Sequence, residues 1–87
     1  MSKTHYIIYG KDNCANCVKA ENILKMKGAN FSKLMLDKDY SVNELTAVAG
    51  EPIRMLPYLV QLKDGELPVN LGAGEAGIKK LIDALRV

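Results

Sequence analysis

Apolar positions along this chain follow two rhythms. Short unbroken or alternating runs mark strands, and positions three to four apart mark helices. His5 to Tyr9 is rich in β-branched and aromatic residues and is closed by Gly10, which predicts a buried strand. After the polar Lys11-Asp12-Asn13, the residues Cys17, Ala20, Ile23, Leu24 and Lys27 fall at helical spacing, and Gly28 supplies a stop. Phe31 to Leu36 reads as a second strand that ends in Asp37-Lys38-Asp39. Ser41-Val42-Asn43-Glu44 has the form of a capping box, so a helix is expected from Ser41 to Gly50, its apolar face formed by Val42, Leu45, Val48 and Ala49. Pro52 and Pro57 bracket a connection, and Tyr58 to Leu62 predicts a third strand. Lys63-Asp64-Gly65 contains an Asp-Gly hairpin signal, so Leu67 to Leu71 is expected to pair antiparallel with that strand. Gly72-Ala73-Gly74 then turns into a last helix whose stripe is Ile78, Leu81, Ile82 and Leu85.

The predicted order is β-α-β-α-β-β-α. A strand–helix–strand unit imposes a parallel pair, and the later hairpin adds antiparallel strands. The expected class is therefore α/β, with one four-stranded mixed sheet flanked by helices. The 87 residues contain no repeat, linker or low-complexity segment and predict a single domain.

Composition narrows the function. Twelve basic residues against ten acidic ones leave a net charge of +2, with no run of like charge, which argues against nucleic acid or a membrane surface as partner. The amino-terminal apolar run is only Tyr6-Ile7-Ile8-Tyr9, too short for a secretory signal or a spanning helix. A cytoplasmic location is expected. In that reducing compartment a pair of cysteines points to catalysis or metal binding rather than to a structural disulfide.

Cys14-Ala15-Asn16-Cys17 places a C-x-x-C at the junction of strand and helix. A sulfur at a helix start meets unpaired backbone N–H groups and the positive end of the helix dipole. Both favour thiolate over thiol and make Cys14 a nucleophile near neutral pH. Lys11, three residues earlier, adds positive charge. Cys17 lies one turn further on, close enough to bond with little backbone movement. Cys14 is thus expected to attack a disulfide and Cys17 to resolve the mixed disulfide. A stabilising bridge is the weaker reading, because so short a loop contributes only about 2 kcal/mol. Zinc needs four ligands, and the chain offers two cysteines and the single His5, so no metal site is expected. Two inert buried thiols would leave the placement of the motif unexplained.

Met55-Leu56-Pro57-Tyr58-Leu59-Val60 puts a proline at the start of a buried strand, where its missing donor is tolerated. A cis bond before it would leave the Leu56 backbone facing outward to pair with an extended peptide.

Together these residues resemble the glutaredoxin family of the thioredoxin fold, over nearly the whole chain. Lys11 stands three before Cys14, and Ala49-Gly50-Glu51-Pro52-Ile53-Arg54-Met55-Leu56-Pro57 is similar to the family's A-G-x-P-x-x-T-V-P, whose proline is cis. Leu71-Gly72-Ala73-Gly74-Glu75-Ala76 lies where the family has I-G-G-x-x-D. The resemblance implies a short dithiol glutaredoxin with Cys14 as nucleophile and Cys17 as resolver. It further implies a glutathione groove formed by Lys11, Asn16, Leu56, Pro57, Gly74 and Glu75. Ala15-Asn16, Met55, Ala73 and Ala76 depart from the family pattern. The implied activity is reduction of protein and mixed disulfides, with glutathione as co-substrate, no bound cofactor and a monomeric state. Ribonucleotide reductase is one implied target. Two alternatives are the same chemistry fed by thioredoxin reductase, and an iron–sulfur carrier in which Cys14 and glutathione bridge two subunits.

Among other residues, His5 is expected at a strand edge, with tuning of Cys14 as its alternative role. Met26, Met35 and Met55 are expected as core or groove fillers. Lys79 and Lys80 read as helix surface, and Tyr6, Tyr9 and Tyr58 as core, Tyr58 having a groove edge as its alternative place. Arg54 could pair with Glu51 or hold a carboxylate.

Overall fold

Tyr6 and Ile8 point to one side of the first strand and Ile7 and Tyr9 to the other, and this alternation organises the molecule. A computed structural model describes residues 4–86. The elements run β1 (Thr4–Gly10), α1 (Ala15–Met26), β2 (Asn30–Met35), α2 (Val42–Ala49), β3 (Tyr58–Lys63), β4 (Val69–Ala73) and α3 (Gly74–Leu85). The predicted order and class are those observed. The strands lie in the order β2-β1-β3-β4. β1 runs parallel to β2, with Tyr6 opposite Phe31, and antiparallel to β3, with Ile8 opposite Leu59. β4 pairs antiparallel with β3 across a bulge at Leu59/Val60.

The two faces of the sheet carry separate cores. On one, Tyr6, Ile8, Leu59 and Leu71 meet Ala20 and Leu24 of α1 and Ile78 and Leu81 of α3. Ile82 and Leu85 pack at its margin, so the predicted α3 stripe is the buried one. Ile8, Leu24, Leu59 and Leu81 are sealed from solvent, and such burial contributes about 1.5–3 kcal/mol per side chain. On the other face, Tyr9, Tyr58 and Val60 meet Tyr40 and Leu45. Tyr58 belongs to this core, not to a groove edge. Met26 and Met55 are exposed, so neither is a core filler.

Three local expectations are corrected. Ser41 does cap α2, its Oγ accepting the Glu44 N–H at 3.2 Å, but the Glu44 carboxylate accepts the Ser41 hydroxyl at 3.4 Å instead of reaching the Ser41 backbone. Val42 and Val48 are 57% and 41% exposed. A helix of eight residues presses only Leu45 and Ala49 onto the sheet and leaves its flanks in water. Lys63–Glu66 does form a turn, with the Glu66 N–H bonded to the Lys63 carbonyl at 3.1 Å and Gly65 at φ +76°. Pairing nevertheless resumes only at Val69 opposite Gln61, leaving Leu67 exposed, because Pro68 has no N–H for a ladder. The strand then runs on through Gly72 and Ala73, and Gly74 already belongs to α3.

Candidate functional site

Asn13 takes a left-handed conformation, φ +56°, which asparagine tolerates better than most residues. It turns the chain from β1 into α1 and makes Cys14 the N-cap. Here a sulfur does what a serine or aspartate oxygen usually does at a helix start. Cys14 Sγ accepts the Cys17 N–H at 3.1 Å, and the Val18 N–H bonds to the Cys14 carbonyl at 3.2 Å. The two cysteines are joined as a disulfide with their Cα atoms 5.2 Å apart. Cys14 is half-buried, whereas Cys17 is 4% exposed. Cys17 rests on Gly10, where an added Cβ would come within 3.2 Å of its sulfur. One sulfur is thus within reach of a partner and the other is held behind it.

Leu56 faces the pair. Its carbonyl oxygen lies 3.7 Å from Cys14 Sγ, and the Leu56–Pro57 peptide bond is cis. Pro57 is buried, and its carbonyl accepts the Gly74 N–H at 2.9 Å, which ties the start of α3 to the start of β3. The structure therefore brings together Cys14, Cys17, Leu56, Pro57 and Gly74. Glu75 follows Gly74 as the acidic residue of the first turn of α3 and is exposed. Asn16 is half-buried in the first turn of α1, and Lys11 is exposed on the loop before Cys14. Met55 lies across Gly74, close enough that a Cβ there would sit 2.6 Å from its Cε. Among the described residues neither Lys11 nor Arg54 forms a salt bridge, so the Arg54–Glu51 pair is not made.

His5 is placed away from this site. It sits at the opposite end of β1, about 16 Å from Gly10 at ~3.3 Å per residue, and its Nε2 lies 2.8 Å from Ser32 Oγ. Tuning of Cys14 by His5 is excluded by that separation, and the strand-edge expectation is corrected as well: β1 is a central strand, and His5 pairs with Asn30 of β2 on one side and Leu62 of β3 on the other.

Tyr40 is the residue that sequence reasoning missed. Its hydroxyl is buried and donates to the Gly10 carbonyl at 2.9 Å, which also accepts the Leu36 N–H at 2.9 Å. Its ring meets Tyr9 edge-on, with centroids 5.0 Å apart. Burial, with help from the Asp37 and Tyr9 charges, pushes the Tyr40 hydroxyl up to about 12, so it stays a neutral donor. It thereby pins the end of β1 on which Cys17 rests. A tyrosine between a polar turn and a helix cap carries no periodic signal that could have marked it.

No model of a known protein family matches the chain, and no curated protein matches it. Solved structures do. A glutaredoxin 1 from Francisella tularensis superposes with a TM-score of 0.66 at 17% identity, over 97% of this chain and 99% of that one. Thioredoxin f from spinach chloroplast gives 0.57 at 22% identity, over 99% of this chain and 79% of that one. The thioredoxin Deadhead of Drosophila melanogaster gives 0.56 at 19%, over 97% and 79%. No helix among the described residues is long and apolar enough to cross a membrane. Sheet order, helix placement and these superpositions agree: the chain has the thioredoxin fold, with Cys14 and Cys17 at the start of its first helix.

Proposed function

We propose that this protein is a thiol–disulfide oxidoreductase of the glutaredoxin type. One observation carries this: a half-buried Cys14 sulfur caps α1 and accepts the Cys17 N–H at 3.1 Å, while Cys17 stands buried within bonding reach. In the reduced protein the same N–H and the open end of the helix favour the Cys14 thiolate. That thiolate attacks a protein disulfide, forming a bond to one substrate sulfur and releasing the other as thiolate. The Cys17 thiolate then attacks Cys14 Sγ, forms the Cys14–Cys17 disulfide and expels the second substrate thiolate. The substrate gains two electrons, and the cysteine pair loses two. Two molecules of glutathione restore the dithiol and leave as glutathione disulfide. Leu56, whose carbonyl borders Cys14, offers an extended substrate backbone a place to pair. Ribonucleotide reductase is among the protein targets this chemistry suits.

A coupled assay tests this. One arm supplies glutathione and glutathione reductase, the other thioredoxin reductase. Turnover is expected in the glutathione arm; turnover in the second arm alone would replace the electron source while keeping the chemistry. Cys14→Ser is expected to abolish turnover. Cys17→Ser keeps the reduction of glutathione mixed disulfides, which a second glutathione completes. Full activity of Cys14→Ser would refute the assignment.

A further inference from the structure

Two exposed apolar residues adjoin the backbone contacts of Cys14. Val18, one helical turn further along α1, is 52% exposed, and Met55, next to the Leu56 that contacts the sulfur, is 58% exposed. Met55 is not loose on the surface. It lies along Gly74, with an added Cβ there 2.6 Å from its Cε and 3.8 Å from its Sδ. Its thioether therefore covers the start of α3, one residue along the chain from the Leu56 carbonyl that faces Cys14. Ala73, the N-cap of α3, makes no side-chain hydrogen bond, and the acidic group of the first turn is Glu75. The Glu75 carboxylate already sits at the positive end of that helix, where it opposes the approach of a second carboxylate. An unbranched, polarizable thioether adapts to apolar groups of varied shape and gives a carboxylate nothing to bond.

We propose that Met55 is the specificity-determining residue of the site, selecting disulfides flanked by apolar residues over disulfides flanked by carboxylates. The inference rests on the oxidoreductase reading above and narrows it. Protein segments with an apolar residue beside the half-cystine are the preferred substrates, and glutathione mixed disulfides are the weaker ones.

The test compares two disulfide substrates on the whole protein: a short peptide disulfide with leucine beside each half-cystine, and the glutathione mixed disulfide of a cysteinyl peptide. Met55→Ser removes the apolar side chain, equivalent to about two methylene groups covered on substrate binding. It is expected to raise KM for the leucine-flanked disulfide about tenfold. KM for the glutathione mixed disulfide falls, and kcat for both stays within about twofold, because Met55 takes no part in bond exchange. Met55→Leu retains the wild-type preference, and matching thermal midpoints exclude loss of fold. Equal shifts for both substrates, or none, would overturn the role of Met55 while leaving the oxidoreductase intact. If the wild type turned over neither disulfide, the underlying activity would fall and this inference with it.

Discussion

Gly77→Ala sets two effects of known size against each other. In a helix interior, alanine is favoured over glycine by about 0.8–1.0 kcal/mol, so propensity alone predicts a more stable protein. The structure predicts the opposite. A Cβ on Gly77 would run into the Gly72 carbonyl, against its oxygen and within 2.7 Å of its carbon. Both partners are backbone, and Gly72 is held at φ +122°, so no rotamer change relieves the collision. The cost lies at or above the top of the overpacking range, about 3 kcal/mol. To avoid it, α3 must lift off β4 and draw Ile78 and Leu81 out of the core. The net loss is about 2 kcal/mol, a large share of the ~4–13 kcal/mol typical of a domain this size. Urea unfolding followed by circular dichroism, with a slope near 1 kcal/mol per molar, should show the midpoint fall by about 2 M. Gly50→Ala is the comparison: φ is +79° but nothing lies within 4 Å, so only conformational strain of about 1–2 kcal/mol is paid. A Gly77→Ala protein as stable as the wild type, or more so, would refute the close approach of α3 and β4.

Two further predictions concern the support beneath the cysteines. Tyr40→Phe deletes the hydroxyl that bonds Gly10 but leaves the Leu36 N–H in place, so the loss is about 0.5–1.5 kcal/mol in thermal or urea unfolding. Folded Tyr40 ionises near 12 and an unfolded tyrosine near 10, so its contribution is whole below pH 10 and is lost as pH climbs from 10 to 12; Tyr40→Phe is expected to flatten the wild-type decline in that window. Gly10→Ala puts a Cβ within 3.2 Å of Cys17 Sγ and displaces that sulfur by a few tenths of an ångström. Resolution of a Cys14 mixed disulfide, followed in a single turnover, is expected to slow about threefold or more. An unchanged rate would show that the position of Cys17 is not set by Gly10.

What could be read from the sequence was local. The C-x-x-C, the Ser41 cap, the Gly50 stop and the α3 stripe each depend on residues within one or two turns, and each is present in the fold. What could not be read depended on distant partners. The Tyr40 bond to Gly10 spans 30 residues, and the seat of Met55 on Gly74 requires two connections to converge. Val42 and Val48 misled because a helix of two turns buries a narrower stripe than its apolar residues suggest. Leu67 misled because Asp64-Gly65 signalled the turn but Pro68 delayed the ladder. His5 misled because residue type suggests a strand edge, whereas its place in a central strand and its distance from Cys14 follow only from the strand order and the direction of β1.

The sheet has two outer margins, and neither invites another chain. β2 presents Ser32 and Lys33 to solvent, with Lys33 tethered to Glu21 of α1 at 3.0 Å. β4 is five residues long, faces a bulge in β3 and contains Gly72. Short, charged or interrupted margins suppress fibre-like stacking. Growth of the sheet by strand addition is thus disfavoured at both ends, and the molecule's backbone hydrogen bonding stays closed within its own four strands.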